Sequence, residues 1–313
     1  MKAFVRISIV PMLLAAAALA TATVAQAAQL STDARSAIPH DVQQLVVIDY
    51  DAMENSTSAM ALRDRVMPPE LKQFDEALSK FTVTTSGGGS IDQYVDVLAF
   101  ALFRPSATAS SDTLDTVGIA QGQFPVQDIA ANFHKKKIKP TTLRGNSIYP
   151  LGRSGMVLCF VDPSTMIFGG NEAVKKALDA RDGLAPSMLT NPTMMNAMQT
   201  VDSEALWSIL DGKGTQTMMK QVLGEAGSVT NYSSVKARLL ASWYTMDFAH
   251  GVHFDLTIST GDAFTAATMS SLMTAAIMVR KMSSSPTEKQ ALSDTTVAAN
   301  SGQLSIQFAA SDT

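Results

Sequence analysis

Two histidines in the last quarter of the chain lie close to carboxylates. His250 and His253 are flanked by Asp247 and Asp255. On a strand, residues 247, 253 and 255 project to one face, and a hairpin turn would bring them together. Imidazole and carboxylate groups are ligands of zinc and copper, so one hypothesis is a metal-binding protein that uses His250, His253 and Asp255. The alternative is that His250 lies in a turn and the other residues lie on a solvated sheet face.

A second group of residues could supply a nucleophile. The sequence Gly152-Arg153-Ser154-Gly155 is close to the nucleophile elbow G-x-S-x-G, but its second glycine comes one residue early. An elbow also needs a strand before the serine and a helix after it, whereas the apolar run Met156–Val161 predicts a strand here. A tight turn between two strands explains the pattern. A secreted serine hydrolase with Ser154 as nucleophile remains an alternative.

The single cysteine and the glycine-rich loop indicate no further chemistry. Cys159 lies inside the run Met156–Val161 with no basic neighbour in sequence, which predicts a buried and unreactive thiol. Gly87, Gly88 and Gly89 follow a predicted helix and lead towards a strand, and no P-loop lysine accompanies them. Phosphate-binding loops have the opposite order, strand then helix. We therefore expect no cofactor.

The first 27 residues have the layout of a secretory signal. Lys2 and Arg6 precede an apolar run over 7–20, and Ala25-Gln26-Ala27 provides a small-x-small cleavage site before Ala28. We expect an exported protein, periplasmic or secreted. Loss of both basic residues makes the net charge more negative than the −4 of the whole chain. An acidic protein has no long-range attraction for nucleic acid.

A second apolar segment raises the question of a membrane span. Residues 263–279 contain no charged side chain. A span needs about 20 predominantly apolar residues, and serines and threonines interrupt this run. The pattern predicts a buried helix packed through alanine and serine, and no stable membrane span after processing.

The order of the predicted elements indicates the fold class. The second half shows strand–helix–strand–strand–helix–strand, and the first half repeats that order with extra strands near 146–168. This order predicts an α+β fold of two ferredoxin-like β-α-β-β-α-β halves, with antiparallel sheets and helices packed on one face. The turn-rich stretch Gly183–Asn191 places the boundary, giving halves at 28–185 and 186–313.

The same layout resembles bacterial exported proteins of unknown function that carry two such halves. The resemblance is carried by Ile38-Pro39-His40-Asp41-Val42, by the predicted strand Leu45–Tyr50 and by the hairpin into a helix at Asp247–Asp262. It covers most of residues 38–310. It implies an α+β fold and no known catalytic residue.

The function that these patterns favour is non-enzymatic. We expect an exported soluble protein whose polar sheet face, or the groove between its halves, binds a protein or a small-molecule partner. The serine hydrolase and the metal-binding protein are the alternatives.

Overall fold

The structure is a computed structural model that describes residues 29–50, 52, 91–105, 114–151, 155–223, 232–248, 252–283, 289 and 292–310. The predicted signal peptide, with its cleavage residues Ala25, Ala27 and Ala28, lies outside these ranges. So do the glycine loop 87–89, Ser154 and His250.

A single sheet of twelve strands organises the described residues, and every neighbouring pair is antiparallel. The strands are β1 (Val42–Asp49), β2 (Val95–Phe103), β3 (Asp115–Gly122), β4 (Thr141–Leu143), β5 (Asn146–Leu151), β6 (Met156–Asp162), β7 (Thr165–Gly170), β8 (Leu206–Asp211), β9 (Leu239–Asp247), β10 (Val252–Thr260), β11 (Thr296–Asn300) and β12 (Gln303–Ala310). Their spatial order is β11-β12-β10-β9-β8-β1-β2-β3-β7-β6-β5-β4.

Seven α-helices accompany the sheet in the described ranges. They are α1 (Thr32–Ser36), α2 (Val126–Lys135), α3 (Asn171–Arg181), α4 (Pro192–Met198), α5 (Gly212–Leu223), α6 (Tyr232–Lys236) and α7 (Ala263–Ser283). Short 3-10 turns cover Ile91–Tyr94 and Met188–Thr190.

The predicted α+β class and the antiparallel sheet are confirmed, but the ferredoxin-like strand order is wrong for this sheet. A split βαβ unit places another strand between two parallel strands, whereas β8 pairs directly with β9. The strand order differs because of the connection between β8 and β9. Ala241 at the start of β9 lies opposite Asp211 at the end of β8. The path through α5 and α6 thus returns to the end of the sheet from which it left, and the next strand must run antiparallel.

The two predicted halves share this one sheet. β1, from the first half, pairs with β8, from the second, with Leu45 opposite Ile209 and Val47 opposite Trp207. Near the predicted boundary, the Met188 N–H donates to the Ile38 carbonyl at 2.7 Å. Backbone pairing therefore links the two sequence segments directly.

Helices cover both faces of the sheet, so the prediction of helices on one face is wrong. Face A is the side of Leu45 and Trp207, where α3 and α4 contribute to one buried cluster. Face B is the opposite side, where α2 packs in a second cluster that contains Phe168. Both faces need a cover because β6 is apolar on each side: Leu158 and Cys159 are both fully buried.

On the other flank of the sheet, β10 and β12 have one apolar and one polar face. Leu256 and Ile306 are buried on face B in a third cluster with α5 and α7, whereas Asp255 and Gln307 are exposed on face A. In the sequence, apolar and polar residues alternate over 252–258 and over 304–308, which predicts one covered face and one polar face, and this prediction is confirmed.

Two local predictions need adjustment. The spacing of Asp51 and Glu54 is that of a capping box and predicts a helix N-terminus there, but both residues lie outside the described ranges. Within those ranges, Asp49 Oδ1 accepts the Ala52 N–H at 2.8 Å. The buried helix predicted from residues 263–279 is present as α7 and extends to Ser283, but it is not a buried helix. Only 28% of its most apolar window is buried.

Candidate functional site

A cavity of about 420 Å³ opens at the end of the sheet where β3 begins and β7 passes into α3. Its floor lies on face B and is formed by Phe100 from β2, Gly118 from β3 and Phe168 from β7. Leu114 and Met156 add apolar walls, and the first turn of α3 closes one side.

Gly118 allows the two aromatic rings of the floor to meet. In the strand register it lies between Phe100 and Phe168, directly opposite both. The rings make an edge-to-face pair with their centroids 5.9 Å apart and their planes at 78°. A Cβ at position 118 would overlap the Phe168 ring. The floor therefore depends on a glycine at this position.

A pair of glycines brings α3 to the edge of the cavity. Gly169 has φ +148°, and a Cβ there would lie 2.9 Å from the Thr116 carbonyl oxygen, so this close crossing requires glycine. Gly170 is the N-cap residue of α3. Gly170 has no side chain with which to cap the helix.

The charge of the cavity wall is negative. Asp115 is half-buried and Glu172 is exposed, and both line the cavity. No lysine, arginine or histidine is among the described lining residues. An apolar floor beside two carboxylates is suited to a neutral or cationic apolar molecule and disfavours an anionic one.

The predicted metal ligands are placed as follows. His253 and Asp255 are exposed on face A of β10, opposite Asp247 and Thr245 of β9. The sequence prediction that residues 247, 253 and 255 share one face is confirmed. No group of three or more potential ligands is arranged to hold a metal within the described ranges, and His250 falls outside them. Metal binding through His250 and His253 stays a prediction.

Ser154 lies outside the described residues, but its surroundings are defined. Leu151 of β5 pairs with Met156 of β6, and Gly155 has φ +75°. A strand therefore follows the serine, as the sequence predicts, where a nucleophile elbow would have a helix. The hydrolase hypothesis stays a prediction.

Cys159 is fully buried, which confirms the predicted environment of the thiol. Burial disfavours the thiolate and raises the pKa of Cys159 to about 11, although Arg181 partly opposes this effect. The thiol is far from the range in which cysteines act as nucleophiles at neutral pH.

Sequence reasoning missed the cavity. In the sequence, Gly169 and Gly170 separate the apolar run 165–168, which predicts a strand, from a helical pattern that begins at Asn171. Glycines at such a junction are a signal of close backbone approach. The approach of Phe100 to Phe168 had no such signal, because it depends on the register of three strands that are distant in sequence.

Comparisons with known proteins establish similarity of fold. No family model matches the chain, and no curated protein matches its sequence. The structure is similar to crystal form I of TP0453, with a TM-score of 0.53 and 11% identity over 89% of this chain and 92% of that chain. It is also similar to crystal form III of TP0453, with a TM-score of 0.51 and 12% identity over 90% of this chain and 96% of that chain. At this identity the likeness concerns the fold alone.

Proposed function

We propose that this chain is an exported, non-enzymatic protein that binds an apolar small molecule in the cavity between β3, β7 and α3. The observation that carries the proposal is the cavity itself, whose volume of about 420 Å³ is within the range of small-molecule sites. The predicted signal peptide over residues 1–27 supports export.

The lining indicates the class of ligand. Phe100 and Phe168 offer an aromatic surface to a hydrocarbon chain or ring, and aromatic faces also attract cations. Asp115 and Glu172 add negative charge beside that surface. We expect a ligand with an apolar body and a neutral or positively charged polar end.

The test compares three probes that share one hydrocarbon chain. Binding of 1-aminodecane, 1-decanol and decanoate to protein lacking residues 1–27 is measured by isothermal titration calorimetry, with the amine and the carboxylate below their micelle concentrations and the alcohol below its solubility limit. The amine should bind most tightly and the carboxylate most weakly. An absence of heat with all three, or preference for decanoate, would contradict the proposal.

A matched pair of variants locates the binding site. Thr116 lines the cavity and Thr257 lies on face A of β10, and both are half-buried strand residues. Thr116→Phe should weaken amine binding at least tenfold because the ring fills the cavity, whereas Thr257→Phe should leave it unchanged. Equal effects of the two substitutions would place the binding elsewhere.

The polar face A of β10 and β12 favours a second candidate function, the docking of a protein partner. In the described part of the chain the buried clusters of these strands lie on face B only, while His253, Asp255 and Gln307 are exposed on face A. A photo-crosslinking residue at position 307 should capture a partner in the exported protein, and the same residue at exposed position 128 on α2 should not. Identical adducts at both positions would contradict this function.

A further inference from the structure

The two edge strands of the described sheet, β4 and β11, differ in their protection against pairing with another strand. β4 has only three residues, follows Lys139 and Pro140 and precedes Arg144. Short length, proline and charged side chains at an edge hinder the addition of a further strand. β11 has five residues, none of them charged and none of them proline. The unprotected edge is therefore at β11.

The turn between β11 and β12 shows which backbone groups of β11 are already paired. Ser301 and Gly302 form a two-residue turn with φ angles of +47° and +86°, as in type I′. Such a turn is closed by a hydrogen-bonded pair, here Asn300 and Gln303. Hydrogen-bonded and non-hydrogen-bonded pairs alternate along an antiparallel ladder, so residues 296, 298 and 300 bond to β12.

Val297 and Ala299 consequently direct their N–H and carbonyl groups away from β12. Within the described ranges, no hydrogen bond to these four groups occurs outside the ladder with β12. The two residues are spaced by two positions, about 6.8 Å along a strand, which is the repeat with which an extended chain presents its own hydrogen-bonding groups. Such an edge is the template for strand addition by a peptide.

The two sides of β11 indicate which side chains an added strand would carry. On face B, Val297 lies opposite Ile306 and packs in the third cluster with α7. On face A, Thr296 and Ala298 are exposed beside polar residues of β12. Side chains of neighbouring strands on the same face contact each other. A matching strand therefore alternates apolar residues on face B with polar residues on face A.

A second copy of the chain does not fit this edge. Antiparallel pairing of two β11 strands about a twofold axis would place both α7 helices on the same side of the joined sheet. α7 packs on β11 and β12. Paired strands lie about 4.8 Å apart, whereas packed helices need about 8–10 Å between their axes. The two helices over the joined edges would collide, but a strand that carries no helix avoids this conflict.

We propose that β11 binds an extended segment of a partner protein, which adds a strand to the sheet through the backbone groups of Val297 and Ala299. The segment has alternating apolar and polar residues, and its apolar side chains lie on face B beside α7. This inference rests on the second candidate function, the docking of a protein partner, and names the element that binds the partner.

A peptide with the sequence of residues 303–310 serves as the probe. β12 has the required alternation and already pairs with β11 from the other side. The peptide, blocked at both ends and labelled with fluorescein, is titrated with protein lacking residues 1–27 and followed by fluorescence anisotropy. Saturable binding is expected, and a peptide of the same composition with its apolar residues grouped together should bind at least tenfold more weakly. Absence of saturable binding, or equal binding of both peptides, would overturn the proposal.

A matched pair of proline variants locates the binding edge. Ala299→Pro removes an N–H that β12 does not use, and proline is tolerated at such edge positions. Thr142→Pro makes the same change in β4, where Leu143 and Asn146 close a two-residue turn and Thr142 faces away from β5. Ala299→Pro should weaken peptide binding at least tenfold, and Thr142→Pro should leave it unchanged. Circular dichroism checks that both variants fold. Equal effects would overturn the proposal.

Amide hydrogen exchange gives a readout that needs no substitution. In the free protein, the amide of Ala298 should exchange slowly because it bonds to β12, whereas the amides of Val297 and Ala299 should exchange fast. The peptide should slow exchange at 297 and 299 and leave 298 unchanged. Loss of protection at Ala298 would show that the peptide displaces β12, and would overturn the proposal.

Two comparisons separate this proposal from its alternatives. Capture of a partner by the crosslinker at position 307 that persists in Ala299→Pro would support docking on face A and overturn strand addition. Peptide binding that Ala299→Pro abolishes, without capture at position 307, would support strand addition and contradict docking on face A. Light scattering should show a monomer, and a dimer that Ala299→Pro dissociates would assign the edge to a second copy instead.

Discussion

Arg238 and Asp262 connect the residue that precedes β9 to the start of α7. Arg238 Nη1 donates to Asp262 Oδ2 at 2.9 Å. The same carboxylate accepts the Thr265 N–H at 2.8 Å and the Thr265 hydroxyl at 3.0 Å, as an N-cap does. One side chain therefore both begins the helix and ties it to the sheet.

Replacement of Asp262 by alanine should lower the melting temperature, because α7 loses its cap and its contact with Arg238. Differential scanning calorimetry at pH 7 measures the effect. Asp128→Ala is the control, since Asp128 is exposed in the first turn of α2, whose N-terminus has no side-chain cap bond. A melting temperature equal to that of the control would contradict the capping role.

The stability of the protein should fall in acid partly through Asp262. The Thr265 backbone N–H, the Thr265 hydroxyl and Arg238 hold the pKa of Asp262 below its ordinary value, despite opposing desolvation. A depressed folded-state pKa gives stability that is present above the unfolded pKa of about 3.9 and is lost as the pH falls through the folded value. Asp262→Asn should therefore flatten the fall in stability below about pH 4, as followed by urea unfolding. An unchanged slope would exclude this contribution.

Gly118→Ala should destabilise the protein by about 1–3 kcal/mol, the usual cost of overpacking, because the new methyl group overlaps the Phe168 ring. Urea unfolding measures the difference. Gly261→Ala is the matched control, since a Cβ there would meet only ordinary contacts, the nearest at 3.8 Å from Arg238. A loss at position 261 as large as at position 118 would argue against the packing explanation.

Cys159 should resist thiol reagents in the folded protein. Burial raises the pKa of the thiol to about 11, so little thiolate exists at pH 8 and the reagent has no access. Reaction with Ellman's reagent should be absent under native conditions and should reach one thiol per chain in denaturant. Fast labelling of the native protein would show that the thiol is reachable.

The metal-binding and serine hydrolase hypotheses each predict a signal in a simple assay. A metal site through His250 and His253 requires bound zinc or copper that is lost in His253→Ala, and a serine hydrolase requires fluorophosphonate labelling that is lost in Ser154→Ala. We expect neither signal from the purified protein, because a strand follows Ser154 and because His253 and Asp255 are exposed on an open sheet face. A stoichiometric signal in either assay would replace the proposed function.

Local patterns predicted many elements well. The apolar run 95–103 predicts a strand, which is present as β2 with the same bounds. The pattern from Asn171 to Arg181, followed by Gly183, predicts a helix, which is present as α3. β11 was missed because Thr296–Asn300 contains mainly small and polar residues with one half-buried valine. Such a segment becomes a strand only by pairing with β12, and single-sequence periodicity carries no information about that partner.

The cavity also could not be predicted from single-sequence periodicity. The sequence contains Phe100, Gly118 and Phe168 with no spacing that relates them, because cross-strand contact depends on register between segments far apart in the chain. The ferredoxin-like order failed for a similar reason, since the order of elements along the chain does not determine which strands become neighbours in space.

In α7, the features that the sequence determines can be separated from those that the tertiary structure determines. Its length, its lack of charge and its basic end were determined by the sequence alone, because local composition sets helix formation and hydropathy. Which residues face water was decided only by the tertiary structure. Met269 and Met273 pack on the sheet, and this contact turns Phe264, Met278 and Met282 outward. Since the helix is apolar on both sides, its own sequence does not determine which side faces the sheet and which faces water.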